Sequence, residues 1–214
     1  MAVSTNASYA TLLDDFNRSN EGPPPSASWL SSSFSSGTSQ LQVVSNALKR
    51  GGAGWGSCVW GATFGANTIL VVTISTVGDF SLIIRGQSPG SAAWDGYELL
   101  YTSSTHRFDI DRIDNNATTS LANTTAVTLS NGDKVGFEIV GTNLAAGRYT
   151  AGAWGADFLT ASDATYASSG YVGVWANGTT PVFDDFSAGT IPAAGKSPAY
   201  PRRDSMRLNA LLRR

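Results

Sequence analysis

The chain has 214 residues, 42% of them hydrophobic and 10% aromatic, enough for one sizeable core. Charged residues make up only 14%, against roughly a quarter in an average soluble domain, so Ser, Thr, Asn and Gly must supply the polar surface, a mix that suits exposed strands and turns and excludes a helical bundle. The net charge of −2 is unevenly placed: residues 1–195 hold eight basic against fifteen acidic side chains, a balance of −7, and residues 196–214 hold six against one, a balance of +5.

In chain order, the first residues show no basic stretch followed by an apolar run, so no signal peptide is expected. Residues 21–25, with three consecutive prolines, read as an extended loop that cannot donate to a ladder. Strands are predicted over 41–44, 68–75, 80–85, 97–101, 107–113, 135–140 and 171–175. In the fifth, Phe108 and Ile110 share one face while Arg107, Asp109 and Asp111 share the other; in the sixth, Val135, Phe137 and Ile139 alternate with Gly136, Glu138 and Val140. The stretch 68–74 is apolar nearly throughout, as a central strand covered on both faces would be. The apolar runs are too short to span a membrane.

Asn131-Gly132 and Asn177-Gly178 predict tight hairpins, and Asp114-Asn115-Asn116 can close another. Many short strands, regular turns and no long helix predict an all-β, two-sheet antiparallel sandwich. It is expected to occupy residues 1–190. Residues 191–214 form a separate tail, with Pro192, Pro198 and Pro201 marking a linker and Asp204 placed to cap a short helix bearing Leu208, Leu211 and Leu212.

Several segments then bear on family. D-D-F-N-R at 14–18, Trp29, L-I-I-R at 82–85 and G-Y-E-L-L-Y at 96–101 are followed by N-G-D-K-V-G-F-E-I-V-G at 131–141, S-S-G-Y-V-G-V-W at 168–175 and F-D-D-F-S-A-G at 183–189. In order and spacing this resembles the concanavalin A-like lectin/glucanase superfamily, particularly its laminin-G-like members, over roughly residues 12–190. The resemblance implies a jelly roll whose first and last strands, each carrying D-D-F, lie side by side. It also implies a choice among lectins, carbohydrate-binding modules, adhesive domains, glycosidases and appendages of bacteriophage tails and capsids. Fold alone does not choose among these.

Candidate chemistry is sparse. Asp109-x-Asp111-x-x-Asp114 mimics the E-x-D-x-x-E strand of the superfamily's β-glucanases, but each outer Asp is a methylene shorter than Glu. Retaining hydrolysis needs carboxyl groups about 5–5.5 Å apart, so no catalytic set is expected, and a glycosidase using Asp109 and Asp114 is kept as an alternative. His106 is the only histidine and Cys58 the only cysteine, which leaves no zinc site and no intrachain disulfide. Asp14-Asp15 and Asp184-Asp185 either hold Ca²⁺ between terminal strands or cap turns while Phe16 and Phe186 enter the core; no metal or other cofactor is expected. Trp29, Trp60 and Trp175 read as core. Trp55, Trp94 and Trp154 lie among Gly and Ala, where loops expose them, and are the candidate sugar platforms.

The tail residues Arg202, Arg203, Arg207, Leu208, Leu211, Leu212, Arg213 and Arg214 mix cations with apolar side chains, which fits docking on a protein better than on a nucleic acid repelled by the acidic domain. The expected function is that of a structural or adhesive virion protein. It would be made in the host cytoplasm, docked through residues 196–214 to other virion proteins, and in contact with cell-surface glycans, with no membrane or nucleic-acid partner and room for a homo-oligomer. A free extracellular carbohydrate-binding module is the other non-enzymatic reading.

Overall fold

Side-chain alternation along the strands decides the architecture. The computed structural model describes residues 2–34, 39–91 and 93–193, and in it two antiparallel sheets pack face to face. One contains β1 (Thr11–Asp14), β2 (Leu41–Val43), β3 (Leu48–Arg50), β5 (Thr68–Thr76), β10 (Lys134–Val140), β11 (Asn143–Thr150), β12 (Ala153–Trp154), β13 (Leu159–Ser162) and β15 (Val182–Thr190). The other contains β4 (Trp55–Val59), β6 (Phe80–Gln87), β7 (Asp95–Thr102), β8 (Arg107–Asp114), β9 (Ala117–Thr124) and β14 (Tyr171–Asn177), in the order β4-β14-β6-β7-β8-β9. This is the antiparallel sandwich that the alternation predicts. All seven predicted strands form. The tail residues from Arg202 to Arg214 lie outside the described residues.

The core lies between the sheets. Leu70, Val72, Ile74, Val135, Phe137 and Ile139 meet Phe80, Leu82, Ile84, Tyr97, Leu99 and Tyr101 there, all fully buried. The central β5 is covered on its other face too, where Val3 of a short helix (Val3–Asn6) packs on Ile69 and Val71. Gly136 and Gly147 make the space: a Cβ at either would stand within 3 Å of the Val3 side chain.

β1 and β15 pair antiparallel, with Asp14 opposite Phe186, so the two D-D-F segments are neighbours as the resemblance implied. Phe16 and Phe186 both enter the core. The Asp14 carboxylate is already occupied: it accepts from Arg18 at 2.5 and 3.0 Å, from Trp29 Nε1 at 2.8 Å and from the Phe16 amide at 2.9 Å. Asp184 Oδ1 accepts from the Asp185 amide. Asp14 thus caps the turn after β1 and both phenylalanines are core, whereas Asp184 and Asp185 sit at a bulge inside β15 rather than in a turn.

Two of the predicted hairpins need correction. Asn177-Gly178 leads from β14 in one sheet to β15 in the other, so it is a crossing between layers. Asn131-Gly132 precedes β10, whose neighbours are β5 and β11, and its amide at Gly132 donates to Ile74. The Asn115-Asn116 turn does close a hairpin: Asp114 pairs with Ala117, and both asparagines have φ above +50°.

At one end of the sandwich Arg85, only 1% exposed, donates from Nε to Ala66 O (2.6 Å), from Nη1 to Tyr166 O (2.6 Å) and from Nη2 to Gly141 O (2.8 Å). One guanidinium thus ties three connecting segments together.

Candidate functional site

The outer face of the six-stranded sheet is set by the residues that alternate away from the core. Registers place Ser57, Trp175, Ser81, Leu100 and Asp109 in one row, and Gly173, Ile83, Glu98 and Asp111 in the next. Half of this face is covered. Phe34, Val59, Ile83, Trp94 and Ile113 form a small apolar cluster over it. The Phe34 ring seats on Gly173 and Gly86, where a Cβ would come within 2.8 and 2.4 Å of it, and the Phe34 amide donates to Ser57 Oγ at 3.2 Å.

Among the described residues the other half reaches solvent at its edge. Trp55, on the edge strand β4, is 40% exposed and its ring lies 6.3 Å from that of Trp175. Trp175 in turn lies 5.8 Å from Trp94, which lies 5.0 Å from Phe34. An aromatic row therefore runs from the covered half to the open edge. Trp55, Trp175, Leu100 and Glu98 line a cleft of about 220 Å³.

Beside the cleft stand three carboxyl groups, Glu98, Asp109 and Asp111, each at most 9% exposed. Asp109 is held by Arg107, whose nearest nitrogen is 2.5 Å away. Burial pushes the Glu98 carboxyl up to about 7, and the charges of Asp111 and Asp109 add to that; the Ser81 hydroxyl opposes the rise without reaching hydrogen-bond geometry. Burial, then Asp109, pushes Asp111 up to about 6. Asp111 Oδ1, Ser81 Oγ and Trp175 Nε1 are buried with no hydrogen-bond partner among the described residues. Buried polar atoms are nearly always paired, so this face carries unused polar capacity.

The predicted platforms separate. Trp55 is exposed, but from a strand rather than a loop. Trp94 is 2% exposed and packs under Trp175, so Gly and Ala neighbours did not mean exposure: its backbone is clamped to Asn116 and its ring fills the apolar cluster. Trp154 is half-buried on the opposite sheet, its ring 5.6 Å from Tyr149 and against the Val3 cluster. Trp29 is core as predicted. Trp175 is not, because its strand's inward positions are Val172, Val174 and Ala176. Sequence reasoning missed Trp175 and Glu98; in G-Y-E-L-L-Y the alternation of Glu98 with Tyr97 and Leu99 was the available signal.

Asp109 and Asp114 cannot flank one bond. Odd-numbered Asp109 and Asp111 face outward, whereas Asp114 points the other way, to the Tyr166 hydroxyl and, at 2.7 Å, to Arg112. Those two partners, Tyr166 first, hold Asp114 below the usual carboxylate range. The outward position nearest Asp114 is Ile113, buried in the apolar cluster. No group of three or more His, Cys, Asp or Glu among the described residues is arranged to hold a metal ion.

Comparison with solved structures bears on the fold. The carbohydrate-binding module CBM66 from Bacillus subtilis is 14% identical, with TM-score 0.59 over 76% of this chain and 95% of that one. The exoplasmic/lumenal domain of VIP36 in its Ca²⁺-bound form is 10% identical, with TM-score 0.62 over 87% and 93%. A protein of unknown function with a galectin-like fold, also from Bacillus subtilis, is 11% identical, with TM-score 0.59 over 84% and 98%. The chain has the lectin-like jelly-roll fold. No protein-family model and no curated protein matches the sequence.

Proposed function

We propose that this lectin-like jelly roll is a non-catalytic glycan-binding module, with its site on the half of the six-stranded sheet that reaches solvent at Trp55. The observation that carries the reading is the cleft where exposed Trp55 stands against Trp175 with Glu98 in the same wall. A pyranose ring presents an apolar C–H face that an indole covers well, and its hydroxyls need fixed polar partners. Glu98, in the wall of the cleft, offers a carboxyl group to those hydroxyls. The names of two similar structures, a carbohydrate-binding module and a domain bound to Ca²⁺ and Man3GlcNAc, support the same ligand class. The test is a glycan array: binding is expected, and Trp55→Ala should abolish it while leaving the fold intact. An array on which wild-type protein binds nothing overturns the reading. Sugar release that Glu98→Gln or Asp109→Asn abolishes would overturn its non-catalytic part.

The finer part of the proposal is that the module is displayed in many copies on a virion and docks to another structural protein through residues 196–214. Its support is the charge split of −7 against +5 and the interleaving of Arg202, Arg203 and Arg207 with Leu208, Leu211 and Leu212. Display in many copies makes weak glycan contacts effective. Deleting residues 196–214 should leave a folded domain that no longer joins its particle; normal assembly of the truncated protein would refute the docking.

A further inference from the structure

We infer that the glycan carries free, protonated amino groups: the cleft selects hexosamine units that are not N-acetylated, over neutral and acidic sugars. This rests on the glycan-binding reading above and names the ligand class of that same site. Three features of the outer face converge on it.

The first is an imbalance of charge. Glu98, Asp109 and Asp111 face outward together, and the cation that faces them among the described residues is Arg107, which is already spent on Asp109. Of the strands bordering the cleft, β6 offers Ser81, β14 Trp175, β4 Trp55 and β9 Ser120, none of them charged, and Arg50, next to the start of β4, is held by the Ala53 and Gly54 carbonyls. Burial first, and the neighbouring carboxylates after it, raise Glu98 and Asp111 above the usual carboxylate range. A bound ammonium supplies the missing counter-charge. A uronate or sulfate adds to the repulsion.

The second feature is the wall. Indole faces attract cations through the ring quadrupole, Trp more strongly than Tyr or Phe. Trp55 and Trp175 provide two such faces at the mouth of the cleft.

The third is the hydrogen-bond capacity of the same carboxyl groups. Asp111, 4% exposed, keeps Oδ1 without a partner among the described residues, and it stands directly opposite Glu98, which lines the cleft, in the β7–β8 register. An ammonium group has three donors and no acceptor, whereas an N-acetyl group brings one donor, one acceptor and a methyl. Acceptors in excess suit the former.

The experiment compares hexamers that share one backbone: a β-1,4-linked glucosamine hexamer, its fully N-acetylated form, and cellohexaose, in which a hydroxyl replaces the amine. An oligogalacturonate and a lysine pentapeptide complete the set. Titration calorimetry on the full chain at pH 7 should rank the amino hexamer at least about tenfold tighter than either neutral one, the gain expected of a charge-assisted contact to a buried carboxyl. The oligogalacturonate and the lysine peptide should bind neither wild type nor variants. Glu98→Gln should bring the amino hexamer to within about twofold of cellohexaose in the same variant, and Trp55→Ala should lose all three. Acetylating the ligand tests the same contact on unaltered protein, so poor folding of a variant does not block the answer. Equal affinity for amino and neutral hexamers, or tight binding of the lysine peptide, overturns the amine inference and leaves glycan binding standing. Failure to bind any glycan on the array overturns both.

Discussion

Glu98 and Asp111 sit opposite each other with little water, and among the described residues the nearby cation, Arg107, is paired with Asp109; the cost has a sign. The Glu98 carboxyl moves from 4.5 to about 7 on folding, so between those values the folded chain holds the proton that the unfolded chain releases. Stability contributed by this group is complete below pH 4.5 and falls as pH rises through 7; Asp111, raised to about 6, adds in the same direction. Denaturant unfolding should find the wild type less stable at pH 8 than at pH 5 by about 2–3 kcal/mol, and Glu98→Gln should lose most of that difference. Tryptophans divide along another line. Trp94→Ala should cost about 3–5 kcal/mol, because the ring is buried between Phe34 and Trp175. Trp55→Ala, at an exposed edge, should change the unfolding free energy by about 1 kcal/mol or less. Thermal or denaturant unfolding of the two variants separates the platform from its support. Residue type and neighbours in sequence could not make that distinction: Trp55 and Trp94 both lie among small residues, and only strand register assigns one to solvent and one to the interior.

The β8–β9 hairpin shows what a single turn can hold. Asn115 and Asn116 take the two left-handed positions, the Asn115 amide donates to Asp95 Oδ1 at 2.7 Å, and Asn116 bonds the Trp94 backbone in both directions. Asn116→Ala should therefore cost about 1–2 kcal/mol, through backbone strain and a lost side-chain acceptor, and should loosen Trp94, seen as faster exchange of its amide hydrogen. This turn was legible in the sequence because Asn tolerates positive φ. So were the strands with large apolar residues every second position. β9, Ala117–Thr124, was not, because it is an edge strand of small polar residues with hardly a buried side chain. β11 hides its burial in Leu144, Ala145 and Ala146 followed by Gly147. β4 read as a glycine-rich loop for the same reason, with Gly51, Gly52, Gly54 and Gly56 around Trp55. Period-two patterns fade when the buried side chain is alanine or glycine.

At the scale of the whole molecule, the sandwich was legible and the site only in part. Trp55 was named from sequence, but its companions on β14 and β7 come from strands distant in the chain, and topology alone makes them neighbours. The same topology explains Arg85. Its three carbonyl partners belong to segments between β4 and β5, between β10 and β11, and between β13 and β14, so Arg85→Met would leave Ala66, Gly141 and Tyr166 carbonyls unpaired at once. That variant should lose at least about 3 kcal/mol in urea unfolding, and amide exchange should rise at all three segments together. The tryptophan row has an optical consequence as well. Indoles 5.8 and 6.3 Å apart couple their electronic transitions, so Trp55, Trp175 and Trp94 should give a paired-sign band in circular dichroism that the isolated chromophores lack. Because the outermost ring of that coupled set is the one in reach of solvent, occupancy of the cleft changes the molecule's own absorption and emission, and the protein reports on its ligand without a label.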